Sequence, residues 1–327
     1  MLKVAVIGAG RIGKIHAANV AAHQLATLVG IADPHAPSAE ALAAATGSRV
    51  ITLEEAFKAE AVVIGSPTPT HAEYIERAAQ AGAAIFCEKP IDLDTARVRA
   101  CLAVVEKTGA KLMVGFNRRF DPSFAALKQR LDAGEAGALE LLSIISKDPS
   151  PPPASYVATS GGLFRDMMIH DLDLARFLMN EEPVEVYAAA SALVDPEIGR
   201  AGDVDTAVVV LKTARGVICQ ISNSRRATYG YDQRIEAHGA AGMLRAGNRT
   251  ATTVELADAR GFGSDPALPF FLERYAEAYR AELDSFVRGV EKGALAGPGG
   301  ADGLAALRLA DAATESARTG QAVRLDG

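Results

Sequence analysis

Short apolar runs alternate with stretches of helical spacing through the first third of the chain. Each run is nearly continuous in apolar residues, which is typical of a strand buried on both faces of a parallel sheet. The predicted strands lie at residues 2–7, 26–32, 61–65, 84–87 and 111–116, and the predicted helices at residues 14–22, 70–81 and 95–107. This order predicts a doubly wound parallel α/β sheet, and we place the first domain at residues 1–120.

The pattern changes after residue 120. Strand-like runs now follow one another with glycine-containing or polar turns between them, which is typical of an antiparallel sheet. The predicted strands lie at residues 139–146, 184–194, 206–212, 216–222, 233–237 and 252–256, and the predicted helices at residues 122–133, 270–290 and 301–316. We therefore predict a second, α+β domain over residues 121–327, in which residues 321–325 return either to this sheet or to the first domain.

Composition and charge narrow the class of protein. The chain has 327 residues, enough for two cores, and is 49% hydrophobic and 23% charged; no apolar run approaches the ~18 residues of a membrane span. A formal net charge of −6 without long Lys/Arg runs argues against nucleic acid as a partner. The three cysteines lack a CxxC spacing, so neither a disulfide framework nor a zinc site is expected. Because Met1 leads directly into the first predicted strand, we expect no signal peptide and a cytoplasmic protein.

A glycine-rich turn, Gly8-Ala9-Gly10-Arg11-Ile12-Gly13, joins the first predicted strand to the first predicted helix. Such glycines allow a tight turn and a close approach of the backbone to a pyrophosphate, whose charge the helix N-terminus favours. Asp33 follows about 20 residues later, where a carboxylate accepts hydrogen bonds from the adenosine ribose and repels a 2′-phosphate. We predict an NAD site formed by Gly8, Gly10, Arg11, Ile12, Gly13 and Asp33.

A hydroxyl-rich segment follows the third predicted strand, at the sheet edge where open α/β sheets bind ligands. We predict that Ser66, Thr68 and His71 line the nicotinamide side of the NAD site. The alternative is a capping turn in which Thr70 is the N-cap of the next helix.

Glu88-Lys89-Pro90 ends the fourth predicted strand at the same edge. We add Glu88 and Lys89 to the predicted cofactor site. A lysine at this position can place its ammonium where an oxyanion develops, whereas the alternative is an ordinary surface lysine.

Residues 162–173 carry acid and base residues at helical spacing. In a continuous helix, Asp166 and His170 would share one face and Asp173 would follow one turn later. Because a histidine accepts a proton near neutral pH, the pair is a candidate acid/base site. One alternative is an amphipathic helix whose Asp and His have structural partners, and another is a metal site formed by His170, Asp171 and Asp173.

Two arginine pairs and one tyrosine pair complete the candidates. The pairs at residues 118–119 and 225–226 are interpreted mostly as solvated charge, with one member of the first pair facing a substrate. Tyr229 and Tyr231 are two residues apart in a predicted strand or strand entry, which predicts that both point the same way and can stack on or hydrogen-bond to a ligand.

Together, the glycine turn, Glu88-Lys89-Pro90 and residues 162–173 resemble the glucose-fructose oxidoreductase, inositol dehydrogenase and rhizopine-catabolism family (Gfo/Idh/MocA). The resemblance covers nearly the whole chain, and residues 147–153, 161–171 and 229–234 are most similar to its inositol-oxidising members. It implies a Rossmann domain followed by a domain with a large, open-faced, mostly antiparallel sheet. It also implies NAD as the cofactor and a homotetramer.

The resemblance further implies roles for individual residues. Lys89, Asp166 and His170 match the catalytic lysine, aspartate and histidine of the family. The implied contacts to a cyclitol come from Asn117, Arg118, Asp148, Asp166, His170 and Tyr231. Positions 146 and 148 are Ser and Asp where some members carry His and Asn, so the preferred stereoisomer stays open.

The implied reaction is hydride transfer to NAD from a secondary alcohol of a cyclitol, with myo-inositol giving 2-keto-myo-inositol as the first expectation. The open alternatives within this class are dehydrogenases of scyllo-inositol, chiro-inositol or a pyranose sugar. An alternative of another class is a catalytically silent NAD-binding regulator, because the same fold also serves as a ligand sensor.

Overall fold

The computed structural model describes residues Met1–Leu325, apart from the side chains of Ala154 and Ala158. Residues 326 and 327, the end of the predicted second domain, lie outside the described residues. The strands are β1 (Leu2–Ile7), β2 (Ala26–Ala32), β3 (Ala61–Ile64), β4 (Ala84–Glu88), β5 (Leu112–Gly115), β6 (Leu139–Lys147), β7 (Pro183–Ser191), β8 (Thr206–Thr213), β9 (Ile218–Ser224), β10 (Asp232–Gly239), β11 (Gly242–Ala246), β12 (Glu255–Asp258), β13 (Gly261–Ser264) and β14 (Val323–Arg324).

The helices alternate with the strands in the first part of the chain and cluster at its end. They are α1 (Arg11–Ala22), α2 (Ala36–Thr46), α3 (Leu53–Ala56), α4 (His71–Ala81), α5 (Thr95–Thr108), α6 (Pro122–Asp132), α7 (Ala154–Ser160), α8 (Gly162–Asp166), α9 (Ile169–Met179), α10 (Pro196–Arg200), α11 (Phe271–Arg274), α12 (Ala276–Lys292) and α13 (Gly300–Thr319). Across the described part of the chain, none of these helices is both long and apolar enough to cross a membrane.

β1 to β5 form a wholly parallel sheet in the order β2-β1-β3-β4-β5, which confirms the predicted doubly wound half. The central strands are buried along their whole length, as their continuous apolar runs predicted. The strand order reverses between β1 and β3, so the loops after these two strands border the crevice where such sheets bind ligands.

The second sheet has the strand order β11-β10-β6-β9-β8-β7-β14. All neighbouring strands are antiparallel except β6 and β9, so the prediction of a mostly antiparallel sheet is confirmed. Val323 of β14 pairs with Val186 of β7, and the end of the described chain thus returns to this sheet. The strand predicted at residues 252–256 differs in the structure: β12 pairs with β13 in a separate hairpin.

The chain divides into two compact units, and the division differs from the predicted one. The first unit comprises Met1–Phe120 together with Ala278–Leu307, whereas residues 278–307 were predicted in the second domain. The physical reason is the apolar face of α12, on which Leu283, Phe286 and Val287 are buried in the core of the parallel sheet. The second unit comprises Asp121–Glu277 and the segment that begins at Arg308.

One face of the second sheet is covered and the other is exposed. Along β8, Val209 and Leu211 are buried, whereas Val208 and Val210 are 40% and 36% exposed. On β7, Ala189 and Tyr187 pair with Val208 and Val210, whereas their partners on β9 are Ser222 and Gln220. We call this apolar surface the open face; it consists of Leu141, Tyr187, Val208, Val210 and Ile218.

The helix predicted over residues 162–173 is interrupted. α8 ends at Asp166, α9 begins at Ile169, and Met167 and Met168 form a turn between them. The backbone N–H groups of both methionines bond to the carbonyl of Leu163, so the helical hydrogen-bond ladder slips by one residue. The prediction that Asp166 and His170 share one face of a continuous helix is therefore wrong.

Candidate active site

The glycine turn after β1 has a backbone that only glycine fits at two positions. Gly8 has a φ of +107°, and a Cβ there would lie 2.6 Å from the carbonyl carbon of Gly65, in the loop after β3. A Cβ on Gly13 would collide with the carbonyl oxygen of Gly8. A Cβ on Gly10, by contrast, would meet nothing within 4 Å. The open space at Gly10, at the start of α1, fits the pyrophosphate of a dinucleotide.

Asp33 lies beside this turn and is oriented by the backbone. Its Oδ2 accepts a hydrogen bond from the N–H of Ala9 at 2.6 Å, and its Oδ1 accepts one from the N–H of His35 at 2.8 Å. Each carboxylate oxygen has a further lone pair for a ribose hydroxyl. The structure thus brings Asp33 and the glycine turn together, as the predicted NAD site requires.

A cavity of about 310 Å³ adjoins Asp33. Its walls come from the loop after β2, from the segment that enters α3 and from α4, and they are Ala32, Asp33, Pro34, Ile51, Thr52, Leu53 and Tyr74. A mostly apolar cavity with an aromatic ring next to the ribose-binding carboxylate suits the adenine base. Apart from Asp33, these wall residues were not predicted, because nothing in their spacing marks them.

His71 does not line a cofactor surface. The side chain is 1% exposed, its Nδ1 lies 2.8 Å from the carbonyl oxygen of Pro90, and its Nε2 lies 2.7 Å from that of Ser66. Burial lowers the pKa of His71. Because both ring nitrogens face backbone oxygens, we correct the predicted role: His71 joins the loops after β3 and β4.

The hydroxyl groups near His71 form a short network. Ser66 Oγ lies 2.6 Å from Thr70 Oγ1, and Thr70 Oγ1 donates to the carbonyl of Pro67 at 2.8 Å. Thr70 occupies the N-cap position of α4, but its hydroxyl makes no capping bond. Ser66 and Thr68 stay predictions as cofactor contacts.

Glu88 is the last residue of β4 and points into the first unit. Its Oε1 lies 2.7 Å from Nε2 of His16, and the residue is 8% exposed. The side chain of Glu88 thus has a partner inside the first unit, and a contact of this residue with the cofactor stays a prediction. Lys89 follows directly and begins the loop at the carboxyl edge of the sheet, which is its predicted position.

Asn117 and Arg118 lie in a short 3-10 turn that follows β5, the edge strand of the parallel sheet. They are 3% and 4% exposed. The interpretation of the pair at residues 118–119 as mostly solvated charge is wrong, since Arg118 is buried and Arg119 forms an ion pair with Asp302 at 2.8 Å. Substrate contact by Asn117 and Arg118 stays a prediction.

In the second unit, a buried guanidinium joins two of the predicted site carboxylates. Nη2 of Arg225 lies 3.4 Å from Oδ2 of Asp166, and Nη1 lies 3.8 Å from Oδ2 of Asp148. Tyr156 donates its hydroxyl to Oδ1 of Asp166 at 2.9 Å. Arg225 is 2% exposed, so its interpretation as solvated charge is wrong. The structure brings Asp148 and Asp166 together through a residue that directly follows β9.

The carboxylates that follow His170 have separate partners. Asp171 is buried and accepts a hydrogen bond from Nδ2 of Asn223 on β9 at 3.0 Å. Asp173 is 1% exposed and lies 3.7 Å from a guanidinium nitrogen of Arg176. These contacts direct the two carboxylates into the structure of the second unit and give the alternative metal site no support.

Tyr229 and Tyr231 do not point the same way. Gly230 between them has a φ of +113°, and a Cβ there would collide with the carbonyl of Ala267. Tyr229 is 48% exposed and donates to Asp232, whereas Tyr231 is 5% exposed and packs edge-on against Phe270 and Tyr275. The glycine breaks the extended backbone on which the predicted alternation depended. A substrate contact by Tyr231 stays a prediction.

Two family models match the chain in succession. Residues 2–116 match the oxidoreductase family with an NAD-binding Rossmann fold, and residues 124–245 match the GFO/IDH/MocA C-terminal domain. The chain belongs to the Gfo/Idh/MocA family. As the first match includes the glycine turn and Asp33, the family assignment and the local geometry agree on NAD as the cofactor.

The Gfo/Idh/MocA relatives of this chain match it from end to end. It is 55% identical over 318 residues to inositol 2-dehydrogenase from Rhizobium meliloti (strain 1021), which covers 96% of each chain. The crystal structure of a myo-inositol dehydrogenase from Corynebacterium glutamicum has a TM-score of 0.96 at 48% identity and covers 100% of this chain and 99% of its own. A scyllo-inositol dehydrogenase from Lactobacillus casei, with bound NAD(H) and scyllo-inositol, has a TM-score of 0.92 at 31% identity and covers 99% of each.

Among the polar residues of this Gfo/Idh/MocA member, Tyr156, Gln233 and Tyr275 were not predicted as site residues. Beside Tyr156 and Arg225, the inner side of the second sheet carries a buried network in which Ser146 Oγ and Gln233 Nε2 lie 3.0 Å apart, and Tyr275 donates to Gln233 Oε1 at 3.0 Å. Gln233 was available as a signal, since it is a polar residue in phase with Ile235 and Ala237, the buried apolar residues of β10.

Proposed function

We propose that this protein is an NAD-dependent inositol 2-dehydrogenase that oxidises myo-inositol to 2-keto-myo-inositol. The observation that carries the proposal is the 55% identity to inositol 2-dehydrogenase over 96% of both chains. The reaction needs a site for the hydride acceptor, which the NAD-binding turn of the first unit supplies. It also needs polar groups that bind an alcohol, which Asp148 and Asp166 of the second unit supply. A catalytically silent regulator is disfavoured by the match to oxidoreductases along the chain.

Bound NAD supplies the hydride acceptor. For the hydride to leave the carbinol carbon, the hydroxyl proton must also leave, and we assign this proton to the imidazole of His170. The ammonium of Lys89 stabilises the developing alkoxide oxygen. Asp166, oriented by Tyr156 and Arg225, stabilises the imidazolium or binds a neighbouring hydroxyl. Asn117, Arg118, Asp148 and Tyr231 are the proposed contacts to the ring hydroxyls.

The function is tested by NAD⁺ reduction across a panel of myo-, scyllo- and chiro-inositol and pyranose sugars. We expect the highest kcat/KM with myo-inositol. Good turnover of an aldose without turnover of any cyclitol would refute the substrate class, and a preference for scyllo-inositol would point to relatives such as the scyllo-inositol 2-dehydrogenase of Bacillus subtilis, at 36% identity.

The residue roles are tested separately with Lys89→Ala and His170→Ala. Each should lower kcat about 10²–10⁴-fold, the range for a lost acid/base group. Full turnover in both variants would show that the roles are assigned wrongly even if the substrate class is right.

We further propose a homotetramer in the cytoplasm with a role in inositol catabolism. The support for association is the open face, because an exposed apolar sheet surface of this kind favours contact with another subunit. The support for the compartment is that all three cysteines are free and buried, as in a reducing environment. Sedimentation velocity measures the oligomeric state, and a monomer at micromolar concentration would contradict the tetramer.

A further inference from the structure

Three buried titratable side chains in the first unit have no part in the proposed reaction. They are His16 on α1, Glu88 at the end of β4 and Glu282 on α12, and one nitrogen or oxygen atom from each lies within 4.8 Å of the others. His16 and Glu282 are 0% exposed, and Glu88 is 8% exposed. We call these three residues the buried triad.

The charges of the buried triad do not balance if both glutamates are ionised. Glu88 Oε1 contacts His16 Nε2 at 2.7 Å, but within the described residues neither carboxyl oxygen of Glu282 has a hydrogen-bond partner. An ionised carboxylate in such a site would lack both solvent and a donor, and it would face the charge of Glu88. Burial, and then the charge of Glu88, raise the pKa of Glu282 well above its usual range.

The groups around the buried triad are mostly aromatic. The ring of His16 packs edge-on against Phe86 of β4 and against Tyr279 of α12, with centroid distances of 5.0 and 5.8 Å. The titratable groups whose ligand atoms lie near the carboxyl group of Glu282 include Glu88 from β4 and His16 from α1. This apolar surrounding favours the state with the fewest charges.

We propose that Glu282 keeps a proton in the folded protein and that the buried triad is a positioning device for Lys89. Glu88 directly precedes Lys89, and its carboxyl group also lies against Gly115 of β5, where an added Cβ would be 3.1 Å from it. His16 lies on the helix that begins at the glycine turn. The buried triad therefore connects the loop of Lys89 to the NAD-binding helix. This second part rests on the proposed function of Lys89.

The same three donors could hold a zinc ion, and this is the competing interpretation. The direct contact between His16 and Glu88 favours the proton, because these two atoms already satisfy each other. The purified protein contains zinc in one interpretation and no zinc at this site in the other, so its metal content distinguishes them.

Infrared difference spectroscopy of the wild-type protein against Glu282→Gln at pH 7 tests whether the carboxyl group of Glu282 is protonated. We expect the C=O stretching band of a protonated carboxyl in the wild type and its loss in the variant. The absence of this band, or one equivalent of zinc in the purified protein by elemental analysis, would overturn the proposal. Neither measurement depends on turnover, so they stand even if the proposed function fails.

The positioning role is tested by kinetics of two variants at the same residue. Glu282→Gln, the neutral isostere of the protonated acid, should keep kcat within about twofold, whereas Glu282→Ala should lower kcat about tenfold with an unchanged KM for NAD⁺, because Lys89 is displaced slightly. Circular dichroism checks that each variant folds. If Glu282→Ala does not fold, His16→Leu, which removes the partner of Glu88, carries the same expectation. Unchanged kcat in the folded variant would leave the buried triad a structural role only.

Discussion

The glycine turn after β1 and the interrupted segment between α8 and α9 were both recognised as motifs, but they are specified in different ways. The turn is specified largely by its own backbone, since Gly8 has a φ of +107° and a Cβ on Gly13 would collide with the carbonyl oxygen of Gly8. At the interrupted segment, the carboxylate of Asp166 is oriented by contacts from outside the segment, namely from Tyr156, ten residues earlier, and from Arg225, 59 residues later. A motif that constrains its own backbone predicts geometry, whereas a motif of reactive side chains predicts only chemistry.

The largest effect is expected within the turn. Gly13→Ala forces a Cβ onto the carbonyl of Gly8, and we expect it to destabilise the fold by about 3 kcal/mol and to abolish NAD⁺ binding. Gly10→Ala is the matched control, since its Cβ meets no protein atom. It should unfold within about 1 kcal/mol of the wild type but raise the KM for NAD⁺, because the methyl occupies the space for the pyrophosphate. Thermal unfolding measures the stability of the two variants, and NAD⁺ titration measures their affinity for the cofactor. An equal loss of stability in both variants would contradict the view that the Gly13–Gly8 contact specifies the turn.

An intermediate effect is expected at the guanidinium of the second unit. Arg225→Met removes the group that joins Asp148 and Asp166, and we expect kcat/KM for myo-inositol to fall about 10- to 100-fold. The binding constant of NAD⁺ should not change. Arg226→Met is the control: Arg226 is exposed, and its variant should behave as the wild type. If both variants lose activity equally, the orientation of Asp166 by Arg225 is refuted.

The smallest effect is expected at Asp33. Asp33→Asn removes the charge that repels a 2′-phosphate and leaves only one side-chain oxygen to accept hydrogen bonds from Ala9 and His35. We expect kcat/KM for NAD⁺ to fall about tenfold, which corresponds to the net free energy of one hydrogen bond. The ratio of NADP⁺ to NAD⁺ activity should rise. Steady-state kinetics with both cofactors measure this ratio, and a wild-type preference for NADP⁺ would contradict the assigned role.

The parallel sheet was predictable because buried strands carry continuous apolar runs and the glycine turn marks the first crossover. Arg225 was not predictable, because it and Arg226 are identical neighbours in the sequence but differ in burial through the path of the chain after β9. The prediction that Tyr229 and Tyr231 point the same way was wrong for a local reason, since the positive φ of Gly230 breaks the alternation of side chains.

The interruption after Asp166 shows a third kind of failure. Residues 162–173 have ordinary helical spacing, and the break falls at Met167 and Met168, which are 6% and 0% exposed. Burial alone does not account for it, because α9 buries the adjacent residues Leu172, Asp173 and Leu174 within a regular helix. Periodicity within the segment carries no information about where such a break falls.

The return of residues 278–307 to the first unit affects how the protein is synthesised. During synthesis, the five parallel strands leave the ribosome long before α12. Part of the core of the sheet therefore stays uncovered until Leu283, Phe286 and Val287 have been made. During this delay the apolar surface is open to chaperones or to aggregation. A fragment that ends near Phe120 would keep that exposed surface permanently, and the NAD-binding unit is therefore expected to fold only when the rest of the chain has been made.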